Sequence, residues 1–149
     1  MSQIKHKEFT VDLQLKSIEL LKISITMPSV LGVSLTDFNF NINLESKADV
    51  TNKVLFVIVD VEIRSADQNH VFGCLAASCI YSIPNFDDVI KIEEDSKLNI
   101  PKDLADILNS ISISTVRGIM FTSFKGTFLH NAFLPIVDPQ SFKPAVIPQ

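Results

Sequence analysis

One stretch near the end of the chain, from Pro101 to Gly126, is the only one with the spacing of a long amphipathic helix. Its apolar residues recur about every 3.6 positions, whereas the chain before residue 82 alternates with a period of two. Proline is favoured in a first helical turn, where Pro101 lies, and the negative charges of Asp103 and Asp106 are favourable near the positive end of the helix dipole. Gly126 is expected to end the helix. The fold must therefore combine one helix with strands. The apolar helix positions are Leu104, Ile107, Leu108, Ile111, Val116, Ile119, Met120 and Phe124.

Four strands are expected before this helix, separated by turn signals. In the first, residues 9 to 27, the apolar parity shifts after Leu15 and again after Leu20, which predicts a long strand with bulges. The second runs from Phe38 to Leu44, and the polar residues 45 to 53 are expected to form its turn. The third and fourth, residues 53 to 64 and 70 to 83, are apolar on both faces over part of their length. The segment from residue 85 to residue 102 is rich in Asp and Glu, which suggests a solvated linker or a short helix.

These elements predict a single α+β domain over residues 1–149, a four-stranded antiparallel sheet with the long helix packed on one face. A hydrophobic content of 46% with only 20% charged residues favours self-association or an apolar partner. A dimer or tetramer would cover the second face of the sheet. The apolar patch expected there comprises Val54, Phe56, Ile58, Phe72 and Ile80.

Composition argues against several classes of partner. A net charge of -4 and the absence of a Lys or Arg run argue against nucleic-acid binding. No apolar stretch is long enough for membrane insertion, and no secretory signal is recognisable, so a cytoplasmic location is expected. Cys74 and Cys79 point to opposite faces of one strand, and neither has a ligand-like spacing to a histidine. We therefore expect no disulfide, no metal and no cofactor.

Catalytic constellations are also missing. The four glycines form no phosphate-binding loop, and no nucleophile motif or pair of catalytic carboxylates stands out. A hotdog-type thioesterase would need an acidic residue near the helix start, where Asp103 and Asp106 lie. Compensation of the helix dipole already explains both residues. The sequence therefore predicts no catalytic residue.

The end of the helix and the segment after it carry a family resemblance. The runs STVRGIMF at 114–121 and KGTFLHNAFLPIVDP at 125–139 resemble the helix and following loop of the SecB family of protein-export chaperones. In that family a Gly-Thr-Phe turn likewise leads through apolar residues to a proline. The resemblance implies a four-stranded antiparallel domain with helices, assembling as a dimer of dimers.

A client-binding groove for unfolded polypeptides is predicted from the second strand and from the apolar loop after the helix. Its residues are Phe38, Phe40, Ile42, Leu44, Phe128, Leu129, Phe133 and Leu134. Within the loop, Phe133 precedes Leu134 and Pro135, so we expect it to be more structural than Phe128. By position, the resemblance places a subunit interface, which in the family also affects client binding, at Val71, Gly73, Leu75 and Ala77.

The chain departs from the family where the SecA motor binds. Exporting members present acidic residues in the first and fourth strands, and here the matching positions are Lys22, Thr26 and Cys74. The family's acidic C-terminal tail has no counterpart in residues 141–149. Weak binding to SecA is therefore expected.

Three functions are consistent with these observations. The chain could be an ATP-independent holdase that binds apolar segments of unfolded polypeptides and keeps preproteins competent for export. It could instead be an interaction module of the same fold dedicated to one client, such as an antitoxin. The third alternative is a small-molecule-binding or thioesterase-like protein that uses the same apolar cavity.

Overall fold

Strands of twelve residues each build the sheet of the computed structural model, which describes residues 13–29, 32–95 and 97–138. In chain order the elements are β1 (Gln14–Ile25), β2 (Phe38–Asp49), β3 (Val54–Ser65), β4 (Val71–Ser82), α1 (Phe86–Val89), β5 (Lys91–Ile92), β6 (Leu98–Asn99) and α2 (Lys102–Ser123). The first four strands pair antiparallel in the order β1-β4-β3-β2. The predicted α+β architecture is confirmed.

The core lies between α2 and the two central strands. Alternate residues of β3 and β4 face the helix, and all of them are buried. From the helix side, Leu104, Leu108, Val116 and Met120 are four or eight positions apart and fill the space above the sheet. Helix and sheet therefore form two layers around one apolar centre.

Two bulges interrupt β1, as the parity of its apolar residues predicts. The pairing with β4 skips a residue between Leu15 and Ser17 and again between Leu20 and Lys22. Each skipped residue moves the following side chains to the other face. As a result the apolar residues of β1 that pair with β4 lie on the helix side of the sheet along the whole strand. Residues 9–12, which were also expected in this strand, lie outside the described residues.

Two predicted boundaries are wrong. Strand β2 continues through residues 45–49, whose backbone pairs with β3 as far as the Asp49–Val54 pair. Asp49 then accepts hydrogen bonds from the backbone and side-chain nitrogens of Asn52, at 3.0 and 2.7 Å, and these bonds lower the pKa of its carboxyl group. The helix ends at Ser123 and is closed by Phe124, whereas Gly126 occupies a left-handed position (φ 82°) in the turn beyond.

The predicted apolar patch on the second face of the sheet is also largely wrong. Val54 and Ile80 are buried within the single chain, and Phe56 and Ile58 are only partly exposed. Phe72 is skipped in the pairing of β3 with β4 and packs edge-on against Phe38 and Phe128. These residues therefore do not by themselves require a second subunit.

The acidic connector contains the short helix α1 and the small antiparallel hairpin of β5 and β6. Phe86, Val89, Ile90 and Leu98 are buried and belong to the core, while the acidic side chains Asp87 and Asp88 are exposed. The connector is thus anchored to the sheet by one side and solvated on the other.

Candidate functional site

Helix α2 covers only the centre of the sheet. It packs on β3 and β4, and both edge strands extend beyond it with apolar side chains on the helix side. The sheet therefore offers two apolar margins, one on each side of the helix. We call them the β1 stripe (Leu15, Ile18, Leu20, Ile23 and Ile25) and the β2 stripe (Phe38, Phe40, Ile42 and Leu44).

The β1 stripe is the more exposed margin. Its five side chains pair across the sheet with the helix-facing residues of β4, yet each is between 41% and 51% exposed. The strand is also an edge of the sheet, so one side of its backbone has hydrogen-bonding groups that no described strand satisfies. An apolar row beside an open backbone edge is a surface suited to an added extended strand.

This stripe was missed in the prediction of the binding groove. Its signal was present in the sequence, because the apolar residues of β1 alternate with Ser, Glu and Lys as those of β2 alternate with Asn. The two parity shifts obscured it. The exposure of the β1 stripe also depends on strand order, because pairing with β4 alone places β1 at an edge of the sheet.

The β2 stripe is half-buried and packs against the core. At one end, Phe38 contacts Phe72 edge-on with ring centroids 6.1 Å apart, and Phe72 contacts Phe128 in the same way at 5.4 Å. Phe72 thereby joins the two parts of the predicted groove, the second strand and the loop after the helix. Sequence analysis had assigned Phe72 to the opposite face.

The loop after α2 is held by polar contacts at two points. The Thr127 hydroxyl donates to the Phe124 carbonyl at 2.7 Å and accepts from the Leu129 backbone at 3.1 Å. Further on, the Arg117 guanidinium donates to the carbonyls of Leu134 and Pro135 at 3.0 and 2.9 Å. These bonds fix the loop against the helix, so its side chains have defined positions.

Burial divides the four loop residues of the predicted groove. Leu129 and Leu134 are buried, so they anchor the loop. Phe133 is 53% exposed and stacks on Phe121 with centroids 6.2 Å apart, whereas Phe128 is half-buried against Phe72. The expectation that Phe133 is more structural than Phe128 is therefore reversed, because the loop turns Phe133 outward beside the helix.

The residues assigned to a subunit interface lie at the start and middle of β4. Val71 is exposed, but Gly73, Leu75 and Ala77 are buried by this chain's own helix, loop and neighbouring strands. A Cβ atom on Gly73 would stand 2.8 Å from Leu129 Cδ1 and 2.8 Å from the Ser24 carbonyl oxygen. A partner subunit could reach these three positions only through the residues around them.

The positions matched to the family's SecA contacts lie along β1 and β4. Lys22 pairs with Ala76 and Cys74 with Ser24, on the face away from α2. The Lys22 side chain is exposed and Cys74 is buried, while the Thr26 backbone continues the pairing by donating to the Phe72 carbonyl. None of the three adds a negative charge to that face.

The hydroxyl groups between sheet and helix have structural partners. The Tyr81 hydroxyl lies 2.7 Å from the Ser112 hydroxyl between sheet and helix, and burial raises the pKa of Tyr81 to about 12. Burial also raises the pKa of the neighbouring Cys79 thiol, which opposes thiolate formation. Within the described ranges no cluster of His, Cys, Asp and Glu could hold a metal ion, and no helix is long and apolar enough to cross a membrane.

No protein-family model matches the chain, and no curated protein matches its sequence. Among solved structures it is similar to the SecB-like chaperone Rv1957 of Mycobacterium tuberculosis, in complex with a ChAD peptide from the HigA1 antitoxin Rv1956. The alignment covers 91% of this chain and 86% of that one, with a TM-score of 0.51 and 11% sequence identity. An identity this low shows shared architecture alone. The four-stranded sheet and long helix of this chain therefore form a SecB-like fold.

Proposed function

We propose that this protein is a chaperone-like polypeptide-binding protein that takes up extended apolar segments of unfolded chains along the β1 stripe. The observation that carries the proposal is the row of five exposed apolar side chains beside a strand edge that no other described strand pairs with. The open backbone edge would pair with any extended chain, and the apolar row would select segments rich in apolar residues. Such binding needs no nucleotide, which fits an ATP-independent holdase.

The β2 stripe with Phe128 and Phe133 is a second contact region in this proposal. It lies on the same side of the sheet as the β1 stripe, across the helix, and its side chains are less exposed. A long client could occupy both margins by passing around the helix. We expect β1 to contribute more of the binding energy because more apolar surface there is open to water.

A dedicated client is the second candidate function. The similar chaperone of M. tuberculosis was solved with a peptide from an antitoxin, which supports a polypeptide client for this chain, and one dedicated client is a form that such binding can take. A role in export with a SecA motor is the less favoured reading, because Lys22, Thr26 and Cys74 supply no acidic contact. The dedicated and general functions differ in how many unrelated unfolded chains the protein protects.

Paired lysine substitutions on the two sides of β1 would test the proposal. Leu20→Lys with Ile23→Lys places two charges in the stripe, and Ser17→Lys with Ser24→Lys places two on the opposite face of the same strand. Each variant is compared with the natural protein in suppressing the light scattering of aggregating reduced insulin, alongside its melting temperature. We expect the first pair to lose most of the protection at an unchanged fold, and the second pair to retain it. Equal activity of the two folded variants would refute the assignment.

A further inference from the structure

The unpaired backbone groups at the edge of β1 belong to the same residues as its apolar side chains. In an antiparallel sheet each residue directs its N–H and C=O to one neighbouring strand, and the next residue directs both to the other side. Just beyond β4, the Ile83 N–H donates to the Lys53 carbonyl at 3.2 Å, so the odd-numbered residues of β4 direct these groups to β3. Its even-numbered residues therefore bond to β1, as the Phe72 carbonyl does when it accepts from the Thr26 N–H at 2.8 Å.

The partners of those even-numbered residues are the polar residues of β1. They are Ser17, Glu19, Lys22 and Ser24, which lie opposite Ile80, Ser78, Ala76 and Cys74. Their backbone groups are therefore used within the sheet. The residues of the β1 stripe alternate with them and direct their N–H and C=O outward, to the edge that no other described strand pairs with.

A client strand added at this edge would meet the β1 stripe in a fixed register. Residues directly opposite each other in a sheet share a face, so the client residue that bonds to Ile23 also has its side chain on the helix side. The next client residue lies opposite Lys22 or Ser24, and its side chain points to the other side of the sheet. The five stripe residues pair with alternate residues of β4 from Tyr81 to Gly73, so the two bulges leave their positions evenly spaced.

The two sides of such a client strand would have different surroundings. On the helix side, each client residue adjoins a stripe side chain that is 41% to 51% exposed. On the other side its neighbours in β1 are two serines, Glu19 and Lys22, all of them exposed. An apolar client side chain gains burial on the first side only. Polar residues are favoured on the second side, where Glu19 can pair with a basic client residue and Lys22 with an acidic one.

We propose that the client of the β1 stripe is an amphipathic β segment, recognised by its alternation of apolar and polar residues rather than by its apolar content. Five apolar residues at alternate positions would all face the stripe, whereas five in an unbroken run could place only three there. The inference rests on the proposed client binding at β1 and adds the pattern that a client must have. It separates segments able to form a half-buried strand from uniformly apolar segments.

Two labelled peptides of identical composition test the alternation. One alternates five leucines with serine, glutamine and lysine, and the other has the same residues with the leucines in one run. Fluorescence anisotropy should show about tenfold weaker binding of the second peptide, because two of its leucines face away from the stripe. The variant Leu20→Lys with Ile23→Lys should lose the first peptide. Equal affinity of the natural protein for both peptides, lost in that variant, would overturn the alternation and leave the client site standing. Binding of neither peptide, or binding that the two lysines leave unchanged, would overturn both.

A single N-methyl group in the alternating peptide tests the backbone register. Methylation of the central leucine nitrogen removes an N–H that would donate to a stripe carbonyl, whereas methylation of the next polar residue removes one that points away from β1. Both peptides carry the same kind of modification, so each is the control for the other. We expect about tenfold weaker binding for the first and a change within about twofold for the second. Equal effects would show that the client backbone does not pair with the stripe residues, and the proposal would be overturned.

Discussion

Phe128 and Phe133 lie five residues apart in one loop, yet they have different surroundings. The Phe128 ring packs edge-on against the fully buried Phe72, and the Phe133 ring stacks on Phe121 at the surface. Truncating an aromatic side chain costs stability in proportion to the contacts it loses. The two positions should therefore respond differently to the same substitution.

We predict that Phe128→Ser lowers the free energy of unfolding by about 2 to 3 kcal/mol, less than the ~3–5 kcal/mol of a fully buried phenylalanine. Phe133→Ser should cost about 1 kcal/mol or less, because its ring is already half in water. Urea denaturation of both variants measures the difference. A larger loss at Phe133 would show that the loop adopts another arrangement in solution.

Gly73 shows how a single hydrogen atom can matter to packing. A methyl group there would stand 2.8 Å from both a Leu129 methyl carbon and the Ser24 carbonyl oxygen, and the carbonyl belongs to the backbone of β1. Leu129 can rotate aside, but the carbonyl can move only with its strand. The glycine thus permits β1 and the loop to close on the same point of β4.

Gly73→Ala should therefore destabilise the fold by about 1 to 3 kcal/mol, the usual range for overpacking. Gly118→Ala is the matched control, because its methyl group meets nothing and alanine favours a helix interior by about 0.5 to 1 kcal/mol. Thermal or urea unfolding of the two variants should move in opposite directions. Unchanged stability in Gly73→Ala would mean that β1 shifts at little cost.

At the scale of elements, α2 and β4 are joined by a polar contact inside an apolar layer. The Tyr81 hydroxyl pairs with Ser112 at 2.7 Å, and the Leu108 carbonyl lies 3.5 Å away. Buried hydroxyl groups need such partners, and an incorrect alignment of helix and sheet would leave both unpaired. This pair therefore favours one alignment of α2 over its neighbours along the sheet.

Alkaline titration should report this contact directly, because Tyr81 is the single tyrosine and the chain has no tryptophan. Its pKa rises from 10.0 to about 12 in the folded state, so the unfolded chain loses the phenol proton first as pH increases. The stability contributed by the neutral phenol is complete below pH 10 and is lost as pH rises toward about 12. Near-ultraviolet phenolate absorbance should titrate at the higher value.

Tyr81→Phe is the control for that titration. This variant lacks the ionising group. The natural protein should therefore lose its advantage in unfolding free energy over Tyr81→Phe as pH rises from 10 toward about 12. Alkaline effects at groups that do not contact Tyr81 remain common to both proteins. Phenolate absorbance that appears near the ordinary pKa of 10.0 in the folded protein would contradict the buried position of Tyr81.

At the scale of the whole molecule, the sheet has two different sides. One side carries the helix, the β1 and β2 stripes and the loop, so all the exposed apolar rows proposed for client binding share it. The other side presents Lys22, the asparagines of β2 and the carboxylates of Glu19, Asp60 and Glu62. The acidic groups of that second side lie at positions other than the three matched to the family's motor contacts.

Weak binding to a SecA motor is accordingly expected, and isothermal titration against the motor from the same organism measures it. Lys22→Glu restores a negative charge at an exposed matched position and should strengthen any heat signal. Lys16→Glu changes the same charge at a bulge of the same strand and serves as its control. Micromolar affinity of the natural protein through this face would show that the matched positions, or the inference from charge, are wrong.

Sequence periodicity was enough to predict the four strands, the bulges of β1 and the long helix, because each depends on local alternation of apolar residues. It failed at Glu45–Asp49, where Ser46 and Ala48 face the helix side with little apolar signal and the backbone pairing with β3 extends the strand. Periodicity also placed Phe72 on the wrong face, because a bulge at one residue does not change the apolar alternation enough to be recognised. Exposure of β1 depended on strand order, which no local pattern encodes.

The bulges of β1 have a consequence for how the chain can vary in length. Lys16 and Leu21 have no partner in β4, so deleting either would leave every other pair of the strand opposite its present neighbour. Deleting Ile18 or Ile23 would instead turn the remaining side chains of the strand toward the wrong side. Single-residue deletions in β1 should therefore be tolerated at these two positions within an otherwise length-sensitive strand.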